Sequence, residues 1–326
     1  MLIYNYKTVL FLIFALFLQS ACSGTGSQSF VSGTAPMPAS SASRINKQLN
    51  HLEILLLTDA ESENIRRFTQ DNSVQLIGFV NDAQFMRQDR LFSIDRAGLD
   101  AELQRAYPDK NAVGTAYIDL EAPYLDWLMH ADVNSAEFKK SKQLFLDVLS
   151  YVKRERPNVK WGYYAIPFTD YWNRKPSFYA GNNRIAEIIR ASDVLFPSIY
   201  IFYNYLSFKR ENESYIRDNT RESIKTALKY GKPVYPMVMT RYHPSNAKVG
   251  DKSIAFDDFD FYVKTIAAET VAGKRVDGIA LWNADGYFYT TKLEAVRSDV
   301  ERSGLPFQRF YDAYLETYLK ILLKYK

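Results

Sequence analysis

A chain of 326 residues with 47% hydrophobic and 15% aromatic content is long enough for one large domain with a sizeable core. The net charge of +4 is small, and the Lys and Arg residues are interspersed with Asp and Glu, so there is no basic block of the kind that binds nucleic acid. Cys22 is the single cysteine, which excludes an internal disulfide, and His51, His130 and His243 are too scattered to form a ligand-spaced metal motif. No cofactor or metal is expected.

The chain begins with Lys7, an apolar run from Val9 to Leu18, and then Gln19-Ser20-Ala21-Cys22. A charged start, a short apolar stretch and small residues describe an export signal over residues 1–21, too short to span a membrane. The placement of Cys22 resembles the lipobox of bacterial lipoproteins, where the cysteine is lipidated and becomes the new N-terminus. That resemblance implies an exported protein anchored to the cell envelope through Cys22. An ordinary cleaved signal with a stray cysteine is the alternative. Residues 22–43 are Ser, Gly, Thr, Ala and Pro with scarcely a large apolar side chain, the composition of a flexible tether.

The remainder, residues 44–326, carries seven apolar runs: Leu52–Thr58, Val74–Val80, Thr115–Glu121, Val159–Ile166, Val194–Ile201, Val234–Arg241 and Gly278–Trp282. Near-continuous apolar strands suit a parallel sheet covered on both faces. Helical spacing separates them: Phe138, Phe145, Val148, Leu149 and Val152 after the third run, Ile216, Ile224 and Leu228 after the fifth, Phe259, Val263 and Ile266 after the sixth. A last stripe of Phe310, Tyr314, Tyr318 and Leu322 reads as core packing. Strict alternation without a dinucleotide glycine fingerprint predicts an α/β protein, a distorted (β/α) barrel of parallel strands with its site at the strand C-terminal ends.

Those ends can be read off directly. In V-G-T-A-Y-I-D-L-E-A-P, the third run, Asp119 and Glu121 lie two residues apart and so share a face, about 6–7 Å apart. Two such carboxyls are costly unless they share a proton or meet a polar ligand, which suggests general acid/base chemistry; a helix-capping acidic pair is the bland alternative. The fourth end offers Tyr163 and Tyr164, the fifth Ser198 and Tyr200, the sixth Thr240, Arg241 and Tyr242, the seventh Trp282, Asn283 and Asp285. Acids among tyrosines and a tryptophan fit a sugar site, where aromatic faces stack on pyranose rings. There is no G-x-S-x-G elbow for a serine nucleophile.

With these residues laid out, the chain resembles the hyaluronidase family of glycoside hydrolases (family 56-like). The segments I-D-L-E at 118–121, W-G-Y-Y-A-I-P at 161–167 and L-F-P-S-I-Y at 195–200, then Thr240-Arg241 and G-I-A-L-W at 278–282, occur in the family's order. The family's Trp between the two acids is Leu120 here. The resemblance implies a distorted barrel of seven or eight strands and a retaining endo-β-N-acetylhexosaminidase acting on a polymer such as hyaluronan. It makes Glu121 the acid/base, gives Asp119 and Tyr200 to the substrate N-acetyl group, and sets Tyr164 and Trp282 in the sugar subsite. Arg241, Tyr163 and Asp285 are taken as further substrate-binding residues. Two carboxyls on one strand face cannot flank both faces of a sugar, so the substrate's own N-acetyl oxygen would be the nucleophile. The partners expected are a polysaccharide and a membrane, for a monomer. Two other readings stay open: a conventional hydrolase with Asp285 as a distant second carboxylate, and a non-catalytic barrel that binds glycan or a partner protein.

Overall fold

Residue phase along each strand decides which of two apolar layers a side chain joins, and the computed structural model describes this for residues 51–87 and 89–326. The segments read as an export signal and a tether, with Cys22, and residues 44–50 lie outside the described residues. Seven strands are formed among the described residues: β1 (Glu53–Thr58), β2 (Gln75–Leu76), β3 (Gly78–Asn81), β4 (Gly114–Asp119), β5 (Val159–Tyr163), β6 (Met237–Met239) and β7 (Gly278–Asn283). They pair in parallel in two arcs, β2-β1-β7-β6 and β3-β4-β5. The arcs join on both sides. On one, β2 and β3 are a single stretch of chain hinged at Ile77, whose N–H still donates to Leu56 O at 2.9 Å. On the other, the Val194–Ile201 run bridges the arcs through Tyr164–Phe196, Leu195–Val234 and Ser198–Met237. Pro197 in this run has no N–H to give, in keeping with isolated bridges where a full ladder would otherwise run.

The result is a ring of seven strand positions, one for each apolar run, and it is the expected α/β barrel. Alternate residues around the ring fill its interior: Leu55 and Leu57, Ile77 and Phe79, Tyr117, Val194 and Phe196, Tyr235, Met237 and Met239, Ala280, with Tyr164 just past β5 packed against them. The intervening residues, such as Ile54, Ala116, Ile118 and Leu281, pack outward against the helices. Close approaches within the ring fall at Gly162 in β5, where a side chain would run into Val194 O of the neighbouring segment, and at Gly278 in β7, where it would run into Glu53 O of β1.

The outer layer follows the predicted stripes. Helix Ala136–Glu155 buries Phe138, Phe145, Val148, Leu149 and Val152, and helix Phe256–Ala268 buries Phe259, Val263 and Ile266. Helix Tyr205–Tyr230 starts earlier than its apolar spacing suggested and buries Ile216 and Ile224, while Leu228 is exposed. Helix Phe307–Leu323 closes the seam beside β1: Tyr311 shares a hydrogen bond with Thr58, and Asp312 accepts from Ser62 Oγ at 2.8 Å. Among the described residues no helix is long and apolar enough to cross a membrane.

Candidate active site

Strand β4 points Tyr117 into the barrel and Ala116 and Ile118 out to the helices, a consequence of its period of two. Asp119 and Glu121 continue the Tyr117 face at the C-terminal mouth, whereas Leu120 between them is buried in the outer layer. The Leu for Trp replacement therefore falls on the core side, away from the pair. Asp119 sits opposite Asn81 in the β3–β4 register, and Tyr163 sits opposite Ile118 on the other side.

Both carboxyls are half-buried and both hold their protons more tightly than usual. Burial pushes Asp119 well above the ordinary carboxyl range, reinforced by the charges of Glu121 and Asp82. Burial also raises Glu121 to about 7, with the charges of Asp82 and Asp126 adding to it. Desolvation and like charge act in the same direction, so the pair carries a proton near neutrality.

An aromatic floor adjoins them. Tyr164 stacks on Tyr200 at 5.7 Å between centroids, and its hydroxyl donates to Ser198 Oγ at 3.3 Å. Trp282 packs 6.4 Å from Tyr200, and Tyr117 lies 6.5 Å from Tyr164. The charges of Glu121 and Asp119 act on the Tyr164 hydroxyl, which places that ring at the acid pair. From Tyr200 the rings continue through His243 and Phe202 to Tyr171 and the 53% exposed Trp172. Burial lowers His243 to about 4, and its Nδ1 accepts from the Ser245 N–H at 3.2 Å, so the ring is neutral at physiological pH.

Three of the expected binding residues are elsewhere. Tyr163 is 1% exposed, packs on the Phe145 ring and donates to Phe145 O at 2.5 Å; it belongs to the outer core because Tyr164, its neighbour, takes the inward phase. Arg241 and Asp285 are each 1% exposed and form a bidentate pair at 2.8 and 2.7 Å. A second carboxylate, Asp299, takes Arg241 Nη1 at 2.8 Å, and the Tyr314 ring lies under the guanidinium. Asp285 is therefore committed to a guanidinium, which argues against its serving as a second catalytic carboxylate. Of the strand-end polar residues, Thr240 and Asn283 bond each other at 3.2 Å.

One acid was not foreseen. Asp82, just past β3, accepts the main-chain N–H of Glu121 on Oδ2 at 3.0 Å. The signal was available, because Asn81-Asp82 follows directly on the second apolar run, Val74–Val80.

The mouth of the barrel can now be set beside known proteins. The sequence profile of the glycoside hydrolase family 56 hyaluronidases matches residues 105–300, more than half of the chain and all of the acid pair, the aromatic floor and the Arg241–Asp285–Asp299 cluster. The chain belongs to the hyaluronidase family. It is 29% identical over 155 residues to hyaluronidase conohyal-ad1 of Conus adamsonii, covering 43% of this chain and 44% of that one. To a hyaluronidase of Tabanus yao it is 22% identical over 223 residues, covering 57% of this chain and 61% of the other. The chain thus matches less than two thirds of the length of these family members. Its fold is that of bee venom hyaluronidase, solved with a hyaluronic acid tetramer: TM-score 0.59 and 16% identity over 83% of this chain and 99% of that one.

Proposed function

We propose that this chain is a glycoside hydrolase that cleaves a polymer containing N-acetylhexosamine, hyaluronan or a related envelope or capsular polysaccharide, with retention and by substrate assistance. The observation that carries the proposal is the Asp119–Glu121 pair, raised by burial and by like charge, at the mouth of a barrel and beside the rings of Tyr164, Tyr200 and Trp282. Membership of the hyaluronidase family and the hyaluronic acid bound to the bee venom enzyme support the substrate class.

In this reading Glu121, protonated up to about pH 7, donates its proton to the glycosidic oxygen as the bond to C1 breaks. The substrate's N-acetyl oxygen attacks C1 from the opposite side, because Asp119 and Glu121 both lie on one strand face and neither can reach across the ring. Asp119 and the Tyr200 hydroxyl hold the N-acetyl group in place for that attack. Glu121, now a carboxylate, then takes a proton from water as the water adds to C1 and displaces the N-acetyl oxygen, whose bond to C1 breaks to restore the acetamido group, and configuration is retained. Tyr164 and Trp282 supply ring faces for the sugar.

The test is reducing-end release by residues 44–326 on hyaluronan, chondroitin, chitin oligomers and poly-N-acetylglucosamine, with Glu121→Gln in parallel. Release that vanishes in the variant supports the hydrolase and names its polymer. Binding of a polymer by both proteins without release overturns it in favour of a glycan-binding barrel.

We also infer that Cys22 is lipidated and that the protein is exported and anchored to the cell envelope, as the sequence before it implies. Metabolic labelling with a fatty acid that is lost in Cys22→Ser supports this; equal labelling of both overturns it.

A further inference from the structure

Three carboxyls, not two, converge at the mouth. Asp82 begins the short helix Asp82–Phe85, which Asn81 caps by accepting the Ala83 N–H at 2.9 Å. Asn81 pairs in register with Asp119, so the residue after it is carried to the side of the acid pair by the sheet itself. There its Oδ2 takes the Glu121 main-chain N–H at 3.0 Å, a bond across 39 residues of sequence between two neighbouring strand ends. A main-chain N–H just beyond the last residue of a strand needs a partner when it is buried, and here an acid supplies what a neutral Asn or a carbonyl could equally supply.

We propose that Asp82 is a positioning residue for the acid/base: its carboxylate fixes the main chain at Glu121, and its negative charge disfavours a second negative charge on the Glu121 side chain. The role rests on the reading of Glu121 as acid/base given above. The charges that act on Glu121 are those of Asp82 and Asp126, the latter on helix Tyr124–His130. Asp119 faces it on β4, and the Tyr117 and Tyr164 hydroxyls face it from β4 and from beyond β5. Tyr124 lies near Asp82, and His130 offsets Asp126 from the far side. Asp82 itself is raised by burial but is relieved by two main-chain N–H groups, those of Glu121 and Ala83. It is therefore the member of the trio best placed to ionise first and to leave the proton on the others.

The chemistry separates charge from hydrogen bonding. Asp82→Asn keeps an oxygen for the Glu121 N–H and removes the charge; Asp82→Glu keeps the charge. The experiment follows the side-chain carboxyl carbon of Glu121 by NMR through a pH titration, its signal identified by its loss in Glu121→Gln, together with the pH–rate profile on the polymer that is turned over. In Asp82→Asn the midpoint of Glu121 is expected to fall by about one pH unit, a tenfold loss of proton affinity. The alkaline limb of the rate profile should fall with it, while the rate on the acid side stays within a few-fold of the native protein. Asp82→Glu should titrate close to the native protein. An Asp82→Asn protein whose Glu121 titrates as in the native protein overturns the proposal. A shifted titration in a protein that turns over none of the polymers overturns the hydrolase reading and leaves the Asp82–Glu121 coupling standing.

Discussion

Two acid clusters crown this barrel, and they are built on opposite principles. At the end of β6 and just past β7, Asp285 and Asp299 enclose Arg241, and the guanidinium donates four hydrogen bonds, to Asp285, Asp299 and the Asp251 carbonyl. Hydrogen bonds from Ser253 and Arg241 outweigh burial there and hold Asp299 below the ordinary carboxyl value. At the end of β4, Asp119 and Glu121 are surrounded by Asp82, Asp126 and tyrosines, and both are raised. A buried acid with a cation is a structural part; a buried acid given only further acids is held ready to exchange a proton. The proposed acid/base role rests on that second arrangement.

The contrast can be broken from either side. Glu121→Gln is expected to lower turnover by about 10²–10⁴-fold, the usual contribution of a general acid, with no loss of stability in a urea titration. Arg241→Met does the reverse: two acids lose their cation, and unfolding by urea should show a loss of about 3–5 kcal/mol, with the specific activity of the folded fraction retained. A variant that inverted these results would exchange the roles assigned to the two clusters.

A pH series sharpens the comparison. Glu121 has its proton held to about 7 in the folded protein against 4.5 ordinarily, so the folded state binds the extra proton between those values. Its contribution to stability is complete below pH 4.5 and is lost as pH rises toward 7. Glu121→Gln should flatten that slope in thermal melts, and Arg241→Met should leave it in place. The smallest effect is expected at Tyr163→Phe, which removes a buried hydrogen bond to Phe145 O. It should cost about 1 kcal/mol in stability and leave KM unchanged, whereas Tyr164→Phe, on the inward phase, should move KM with little change in stability.

Much of this was visible in the residues. The seven apolar runs became the seven positions of the ring, because strands buried on both faces must be apolar throughout. The acid pair stood out because two like charges close together at the end of such a run have no cation beside them in the local sequence. What escaped was phase and long-range partnership. Tyr163 and Tyr164 are both aromatic, so their composition does not say which one faces inward; the register of β5 on β4 puts Tyr163 beside the outward Ile118. Arg241 and Asp285 looked like a cationic and an acidic ligand because each is polar at a strand end. Their mutual bond, and Asp299 on helix Glu294–Ser303, join segments far apart in the chain that no local pattern connects. Asp82 was missed for a different reason: its run is split by the hinge at Ile77, and its end is taken up at once by a short helix.

The closure of the ring has a consequence in time as well as in space. Glu53 of β1 pairs with Gly278 of β7, and Thr58 reaches Tyr311 in the helix that follows still later. As the chain is made, β1 can pair with β2, but its other edge stays open until almost the whole sequence has emerged. Contacts of such high sequence separation make for slow folding and a long exposure of an apolar edge. The barrel is thus a structure that its first strand must wait for, and a chaperone that shields Leu55 and Leu57 during that wait would act on the least protected stage of its life.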